Sequence, residues 1–544
     1  MRIIHPVLAI VLLFNAFLTR AQSAGFEELK SLELMDQIYE HLDLYFVDEV
    51  GHGKLSKTAI DAMLNELDPY TVFYHEANIE DYRLMTTGQY GGIGASLGKI
   101  GDDTYVTDLY ENSPAQKGGL LAGDIILRVD NKSVTQKTTD EISNALKGPK
   151  GTNVTIEVQR AEKTVTFELT RDEIKIPDIP FAGLIDETIG YISLSSFTQT
   201  AAEEVKKKLL ELQGKGMKKL IFDLRGNGGG LLMEAVKIVG FFVPKGQEVV
   251  STKGRSKQEN MVYKTQENPI AESLPLVVLI DENSASASEI VAGALQDLDR
   301  AVILGNTSYG KGLVQRTFDL KYGSKMKLTI AKYYTPSGRC VQRLDYYDQN
   351  SGSSPKEIPD SLLQQFQTKN GRTVMDGRGI EPDIQLVDSV KSGFTKALIR
   401  EHMIFHYATQ FHASHPTIAT PDKFNLSSEE YNSFITFVKG RNFTYTSYEA
   451  SLLEKLKSSL EKNNDFSKVS QNYEALKQQL NTPVIQDLEN HRMEILPLLE
   501  AEIIGRYYYE KGQNQYGFKN NVITTKAASI LQNEQEYKSL LKIK

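Results

Sequence analysis

The chain has no tryptophan and a single cysteine, Cys340, in 544 residues. One thiol cannot close an intramolecular disulfide, and it excludes every metal site built from several cysteines. Histidine is missing between positions 76 and 401: the nine imidazoles sit at 5, 41, 52, 75, 402, 406, 412, 415 and 491. Chemistry in the middle of the chain must therefore find another base. A basic excess is also lacking, since 62 Lys and Arg face 70 Asp and Glu, for a net charge of −8. A dominant nucleic-acid-binding role would lack its electrostatic footprint. The longest apolar run, Val7–Leu18, is too short for a comfortable membrane span of ~20 residues.

What is present is ordinary globular composition, 40% hydrophobic and 24% charged. The length exceeds the ~250–300 residues that one core supports, so several domains are expected. Residues 1–22 carry a basic start, the short apolar run and a small residue, Ala21. That pattern predicts a signal peptide and an exported, soluble protein; left uncleaved, the segment would hold the protein at a membrane. Over 23–87 apolar positions recur at helical spacing (Leu29, Leu32, Ile38, Leu42, then Ile60, Leu64, Leu67), predicting two or three helices that end at Asp68-Pro69. Residues 88–172 switch to short β-branched runs between Gly, Asn and Asp turns, with helices opening at Ser113-Pro114 and near Thr139. A compact, mostly β binding module is expected there. From 173 to 395 strands and helices alternate, the signature of an α/β core. A loop is expected over 349–358, and a polar helical extension over 396–544.

The richest chemistry lies at Leu274-Pro-Leu-Val-Val-Leu-Ile-Asp-Glu-Asn-Ser-Ala-Ser-Ala-Ser-Glu-Ile290, a buried strand running through a polar turn into a helix. A serine at that junction sits beside free backbone N–H groups at the positive end of the helix, where an acyl-transfer enzyme needs its nucleophile. The turn alone does not choose among Ser284, Ser286 and Ser288, and helix capping would account for Ser284 or Ser286. With no local histidine, a lysine is the better base, and Lys311, between two glycines, is the conspicuous candidate. The same loop mimics a phosphate-binding loop from Gly305 to Lys311, but Gly312 stands where a Ser or Thr is required. Ser308-x-x-Lys311 also imitates a penicillin-binding pair, without its partner motifs. The glycines of Asp223-Leu-Arg-Gly-Asn-Gly-Gly-Gly230 permit N–H groups to converge on an anion, and Asp223 and Arg225 are expected to pair or cap locally. His402 and His406, spaced i, i+4, invite a metal reading that no carboxylate pattern supports; no metal is expected.

Together these stretches resemble the C-terminal (tail-specific) processing peptidases, serine proteases with a Ser-Lys dyad. The resemblance covers about residues 30–390 and rests on Asp223-Leu-Arg-x-Asn-x-Gly-Gly230, Ser284-Ala-Ser-Ala-Ser-Glu-Ile290, Tyr309-Gly-Lys-Gly312 with Gln315, Tyr334-Thr-Pro-Ser-Gly-Arg339, Gly379-Ile-Glu-Pro-Asp383 and Leu67-Asp-Pro-Tyr70. It implies Ser286 as nucleophile, Lys311 as general base and Gln315, read as one helical turn further on, as the residue orienting it. It also implies an oxyanion hole from the N–H groups of Gly230 and Ala287. The module at 88–172 resembles the family's PDZ domain, with Gly92, Ile93 and Gly94 in the loop that captures a peptide's terminal carboxylate. The expected architecture is thus a helical N-terminal region, a PDZ domain, an α/β serine peptidase core and a helical C-terminal extension. The implied activity is endopeptidase cleavage of envelope proteins selected by their C-terminal tails, in the periplasm, with no cofactor. Protein or peptide substrates are the expected partners, with an adaptor or self-association through the helical regions and no nucleic acid. Rival readings are a silent PDZ scaffold and a nucleotide-binding protein using Gly305–Gly312.

Overall fold

The computed structural model describes residues 4–76, 79–346, 355–386, 391–480, 483–519 and 521–543, with backbone alone at 4–24, 79, 81 and 519. The chain forms two compact units, divided after Phe73. The first holds α1 (Ile4–Tyr45) and α2 (His52–Asn65). Position 22 falls inside the continuous α1. Beyond α2, Asp68 makes the expected break: its Oδ1 accepts the N–H groups of Tyr70 and Thr71, each at 2.8 Å. Among the described residues no helix is long and apolar enough to cross a membrane.

The second unit opens with α3 (Ile79–Thr87), which lies beyond the end expected for the helices at Asp68-Pro69. The β module follows. Strands β1 (Gln89–Gly92), β2 (Ala95–Ile100), β3 (Asp103–Leu109), β4 (Ile125–Val129), β5 (Lys132–Ser133), β6 (Asn153–Arg160), β7 (Lys163–Thr170) and β8 (Asp172–Lys175) enclose two helices, α4 (Pro114–Lys117) and α5 (Thr139–Leu146). The main sheet runs β2-β3-β4-β6-β7 with β5 on β4, while β1 and β8 pair antiparallel at the module's base. Both helices start on their predicted signals. Ser113 Oγ accepts Gln116 N–H, and Thr138, one residue before the expected opening, forms a capping box with Glu141. Val106, Ile126, Ile142 and Ile156 fill the core.

The α/β region contains β9 (Phe181–Leu184), β10 (Ile189–Ser193), α6 (Ala201–Gly214), β11 (Lys219–Asp223), α7 (Leu232–Gly240), β12 (Glu248–Gly254), β13 (Val262–Lys264), β14 (Leu276–Ile280), α8 (Ala287–Asp297), β15 (Val302–Gly305), β16 (Leu313–Asp319), β17 (Lys325–Tyr334) and β18 (Ile384–Gln385). Six strands order as β9-β10-β11-β14-β15-β18, parallel except for β9. Side chains alternate across this sheet, and both faces are buried. Leu220, Phe222, Val278 and Ile303 pack under α6–α8, whereas Ile221, Val277, Leu279 and Leu304 point the other way. A second sheet, β16-β17-β12-β13, was not separated out from the sequence. The loop expected at 349–358 lies outside the described residues up to 354, and Lys356–Glu357 pairs as a short strand with Leu344–Asp345.

The region expected as an extension contains α9 (Gly393–Arg400), α10 (Met403–Ser414), α11 (Ser428–Gly440), α12 (Tyr448–Lys462), α13 (Phe466–Leu480), α14 (Val484–Asn490), α15 (Arg492–Lys519, broken at Tyr509), α16 (Val522–Gln532) and α17 (Glu534–Leu540). It is more than an appendage. Helices α9–α11, α14 and α15 share their own core, but Phe518, Ile523, Ile530, Leu531 and Tyr537 cover the second face of the parallel sheet. The helical region also grips the β module: Tyr105 of β3 packs edge-on against Phe405 and His406 of α10, and Gln116 Nε2 donates to Tyr509 Oη at 2.6 Å.

Burial, helped by Arg441, His402 and Arg506, pushes the His406 imidazole down to about 4. With its folded value below the unfolded ~6.5, the ring stays neutral in the folded state while the unfolded chain takes up a proton. Stability should therefore fall as pH drops from about 6.5 toward 4. Replacing His406 with phenylalanine should flatten part of that acid limb in melting curves, and an unchanged limb would deny the ring this role.

Candidate active site

The sheet places its functional loops at the carboxyl ends of neighbouring parallel strands. β11 runs into the glycine turn 226–230, β14 into the serine turn before α8, and β15 into the loop that carries Lys311. One cleft of about 640 Å³ is lined by Gly230, Ser286, Ala287, Lys311 and Gln315, with Met85 of α3 on its wall.

Burial distinguishes the serines. Ser284 is 0% exposed, with Oγ donating to Leu224 O and accepting Asp281 N–H. Ser288 is equally buried and donates to a carbonyl of the glycine turn. Ser308 donates to Glu289 and accepts Ile380 N–H at 2.6 Å. Ser286 alone of these four lines the cleft. Its backbone is in the left-handed half of conformational space, φ 55° and ψ −111°, which costs a non-glycine residue about 1–3 kcal/mol. Tyr333 Oη donates to Ser286 O at 3.2 Å, and Ser286 N–H donates to Glu289 Oε2 at 2.8 Å.

Glu289 is the residue that sequence reading passed over. It is 0% exposed, and its two oxygens take four donors. Oε2 accepts the backbone N–H groups of Ser286 and Lys311, each at 2.8 Å. Oε1 accepts Gly310 N–H at 2.7 Å and Ser308 Oγ at 2.5 Å. Burial pushes its carboxyl up, against four donors that pull it down. One side chain thus fixes two loops from different strands. The signal was present as Ser-x-x-Glu before an apolar helix, a capping-box pattern, but nothing local announced its second pair of partners. Glu289→Gln would turn an NH2 group toward N–H donors. It should lower kcat roughly 100-fold, as ~1 Å misplacement does, with KM little changed. Steady-state kinetics beside a melting curve check this.

The glycines flanking Lys311 admit the segment 341–343. A Cβ on Gly310 would meet Arg343 Cβ at 2.6 Å, and one on Gly312 would meet Gln342 N at 2.7 Å. The loop also leads into strand β16 rather than a helix, so a phosphate-binding loop has no helix N-terminus here. The nucleotide reading falls with it. Gln315 is likewise on β16, at an irregularity opposite β17, and not one helical turn beyond Lys311; its Nε2 donates to Thr329 Oγ1 at 3.2 Å. From that strand it lines the cleft.

Gly230 N–H and Ala287 N–H have no hydrogen-bond partner among the described residues. Asp223 and Arg225 pair as expected, with Arg225 Nη2 to Asp223 Oδ2 at 2.5 Å, and Tyr191 Oη shares that carboxylate. The later motifs clamp the far end of α8. Asp297 accepts Thr335 Oγ1 at 2.5 Å and faces Arg339, while Asp383 pairs with Arg372 and accepts Ile303 N–H.

In the β module, Gly92 belongs to the β1–β8 ladder, opposite Asp172. Ile93 and Gly94 leave it, and their N–H groups have no partner among the described residues. Gly94 has φ +76°, and a Cβ there would meet Ser113 Cβ at 2.4 Å. His402 caps α10 in a left-handed conformation, just ahead of the helix that carries His406. Among the described residues no group of three or more His, Cys, Asp or Glu could hold a metal.

Three parts of the chain match known families. Residues 188–346 match the model of peptidase family S41, residues 105–160 match a PDZ domain, and residues 394–531 match the C-terminal helical domain described as that of a probable PDZ-protease. The carboxy-terminal-processing protease of Bartonella bacilliformis is 35% identical over 319 residues, 58% of this chain and 73% of that protein. A probable CtpA-like serine protease of Staphylococcus aureus is 30% identical over 388 residues, 70% and 77% of the two chains. Among solved structures, the photosystem II D1 C-terminal processing protease is 27% identical, covering 64% of this chain and 86% of that one, with a TM-score of 0.37. The chain belongs to peptidase family S41, as a PDZ-containing serine peptidase of the C-terminal processing type.

Proposed function

We propose that this chain is an exported endopeptidase that takes the C-terminal tails of envelope proteins into its PDZ domain and cleaves upstream with Ser286 and Lys311. The observation that carries the reading is that one buried carboxylate, Glu289, holds the backbones of both residues at one cleft, beside two N–H groups with no partner among the described residues. Lys311, neutral, takes the hydroxyl proton of Ser286 as Oγ attacks the scissile carbonyl carbon. Negative charge develops on the carbonyl oxygen, where the N–H groups of Gly230 and Ala287 receive it. The protonated lysine then passes its proton to the leaving amine, and the C–N bond breaks to leave an ester on Ser286. Water, deprotonated by Lys311, hydrolyses that ester. Gln315 faces the same cleft and orients the lysine. Every step is a proton or acyl transfer between side chains and substrate, so none calls for a metal or an organic cofactor.

The PDZ domain binds peptide C-termini, and the loop Gly92-Ile93-Gly94 is the proposed carboxylate seat, its free N–H groups forming a nest for the anion. Export rests on the basic, apolar and small-residue pattern of residues 1–22. Sequencing the N-terminus of the secreted protein should find a start near residue 23.

A denatured protein ending in a susceptible tail, offered at several pH values, tests the activity. Acid-quenched turnover should leave an acyl group on Ser286 by mass spectrometry, and kcat/KM should rise with pH as the lysine loses its proton. Amidating the tail should weaken binding at least 10-fold, since a charged acceptor is lost. An acyl group elsewhere, a rate flat from pH 5 to 9, or equal affinity for the amide would each remove the corresponding part.

A further inference from the structure

Asn227 stands before the three glycines and has no part in the chemistry above. It is 0% exposed, and its polar groups are all engaged. Nδ2 donates to Leu194 O, just past β10, at 2.7 Å. Oδ1 accepts Gly229 N–H at 2.8 Å. Its main-chain oxygen accepts Ala285 N–H at 3.0 Å and Ser288 Oγ at 2.9 Å. One residue therefore bonds to the end of β10, to the glycine turn and to the serine turn.

The two turns are in direct contact. Gly229 has φ +100°, and a Cβ there would lie 2.8 Å from Ser286 Cβ and 3.0 Å from Ala287 N. The glycine turn is stitched on its outer flank by Phe197, which donates to Gly229 O and accepts Leu231 N–H, but those bonds leave the serine turn untouched. Other ties reach the serine turn from Leu224 and Gly226, short of the glycines that face the cleft. Among the described hydrogen bonds, those of Asn227 join a cleft-facing glycine to the serine turn. The spacing between Gly230 N–H and Ala287 N–H follows from how those backbones are held together.

We propose that Asn227 is a positioning residue that sets the separation and aim of the two oxyanion donors, with the Ser288 hydroxyl as its partner. This rests on the assignment of Ser286 as nucleophile and of Gly230 and Ala287 as donors. It explains why Asn and the third serine stand in their motifs although neither touches the cleft. A donor displaced from the developing oxyanion loses transition-state stabilisation and leaves substrate binding alone.

The test uses the full-length protein with Asn227→Ala and the milder Ser288→Ala, a tail-bearing peptide substrate, and a peptide aldehyde whose hemiacetal with Ser286 imitates the tetrahedral oxyanion. Asn227→Ala should lower kcat about 100-fold and Ser288→Ala about 5-fold, with KM within twofold. The aldehyde Ki should rise in step with the fall in kcat/KM, while affinity for the uncleaved peptide, measured in a Ser286→Ala background, stays constant. Should Asn227→Ala fail to fold, Ser288→Ala carries the same comparison. A folded variant with unchanged kcat, or one whose peptide affinity falls as far as its aldehyde affinity, would overturn the proposal. Failure of the aldehyde to modify Ser286 in the unaltered protein would overturn the assignment beneath it instead, and mass spectrometry separates the two cases.

Discussion

Ser286→Ala is expected to lower kcat by roughly 10⁴- to 10⁶-fold, the range seen when a serine peptidase loses its nucleophile. The loss should come without unfolding. Alanine retains the Cβ, and the positive φ of 55° is imposed by backbone bonds that the hydroxyl does not make: Ser286 N–H to Glu289 and Tyr333 Oη to Ser286 O. Those bonds survive the substitution, so the melting temperature should change little. Peptide tails should still bind, because the PDZ loop at Ile93–Gly94 is a separate feature. Calorimetric titration of the variant against a tail peptide, beside a cleavage assay, reads both halves. Substantial turnover in the variant would return the choice to another group, and the candidates are few, since Ser284, Ser288 and Ser308 are buried with their hydroxyls engaged.

Removing residues 521–544 is expected to abolish folding of the peptidase core, although the cut lies far along the chain from every catalytic motif. Ile523, Ile530, Leu531, Tyr537 and Leu541 are all buried against the second face of the parallel sheet. At about 1.5–3 kcal/mol for each large side chain, their burial supplies on the order of 8–15 kcal/mol. That matches the whole net stability of a typical domain, about 5–15 kcal/mol. The sheet would in addition expose Ile221, Val277, Leu279, Val302 and Leu304. Tyr537 also closes a polar end, accepting Leu276 N–H at 2.9 Å where β14 begins. The truncated chain should be insoluble or melt without a cooperative transition. A point test is gentler: Tyr537→Ala should cost about 3–5 kcal/mol, read from denaturant midpoints. A truncated protein that stays folded and active would show that these helices merely rest on the sheet.

The order of parts and the chemistry on offer are legible in the amino-acid sequence. Alternating strands and helices from 173 to 395 mark the α/β core, and the apolar run before the serine turn marks β14 as a buried strand. The helix openings at Ser113 and near Thr139 and the turn at Asp68 were legible because each is signalled within three residues of itself. So was the pairing of Asp223 with Arg225. The family motifs named Ser286, Lys311 and Gln315 without regard to geometry.

Whatever depends on residues distant in sequence emerged with the packing of the folded chain. That packing buried Ser284 and Ser288 and left Ser286 at the cleft, a choice that a run of alternating serines cannot express. It put Gln315 on a strand, because residues 313–319 pair with 325–332 in a hairpin that overrides the helical reading of a four-residue spacing. It gave Glu289 two loops to hold, where the local pattern offered only a cap. It also returned the polar C-terminal helices to the peptidase sheet. Two-sided burial of the strands requires a second covering layer, but hydrophobic periodicity records only that a face is covered, never which distant segment covers it.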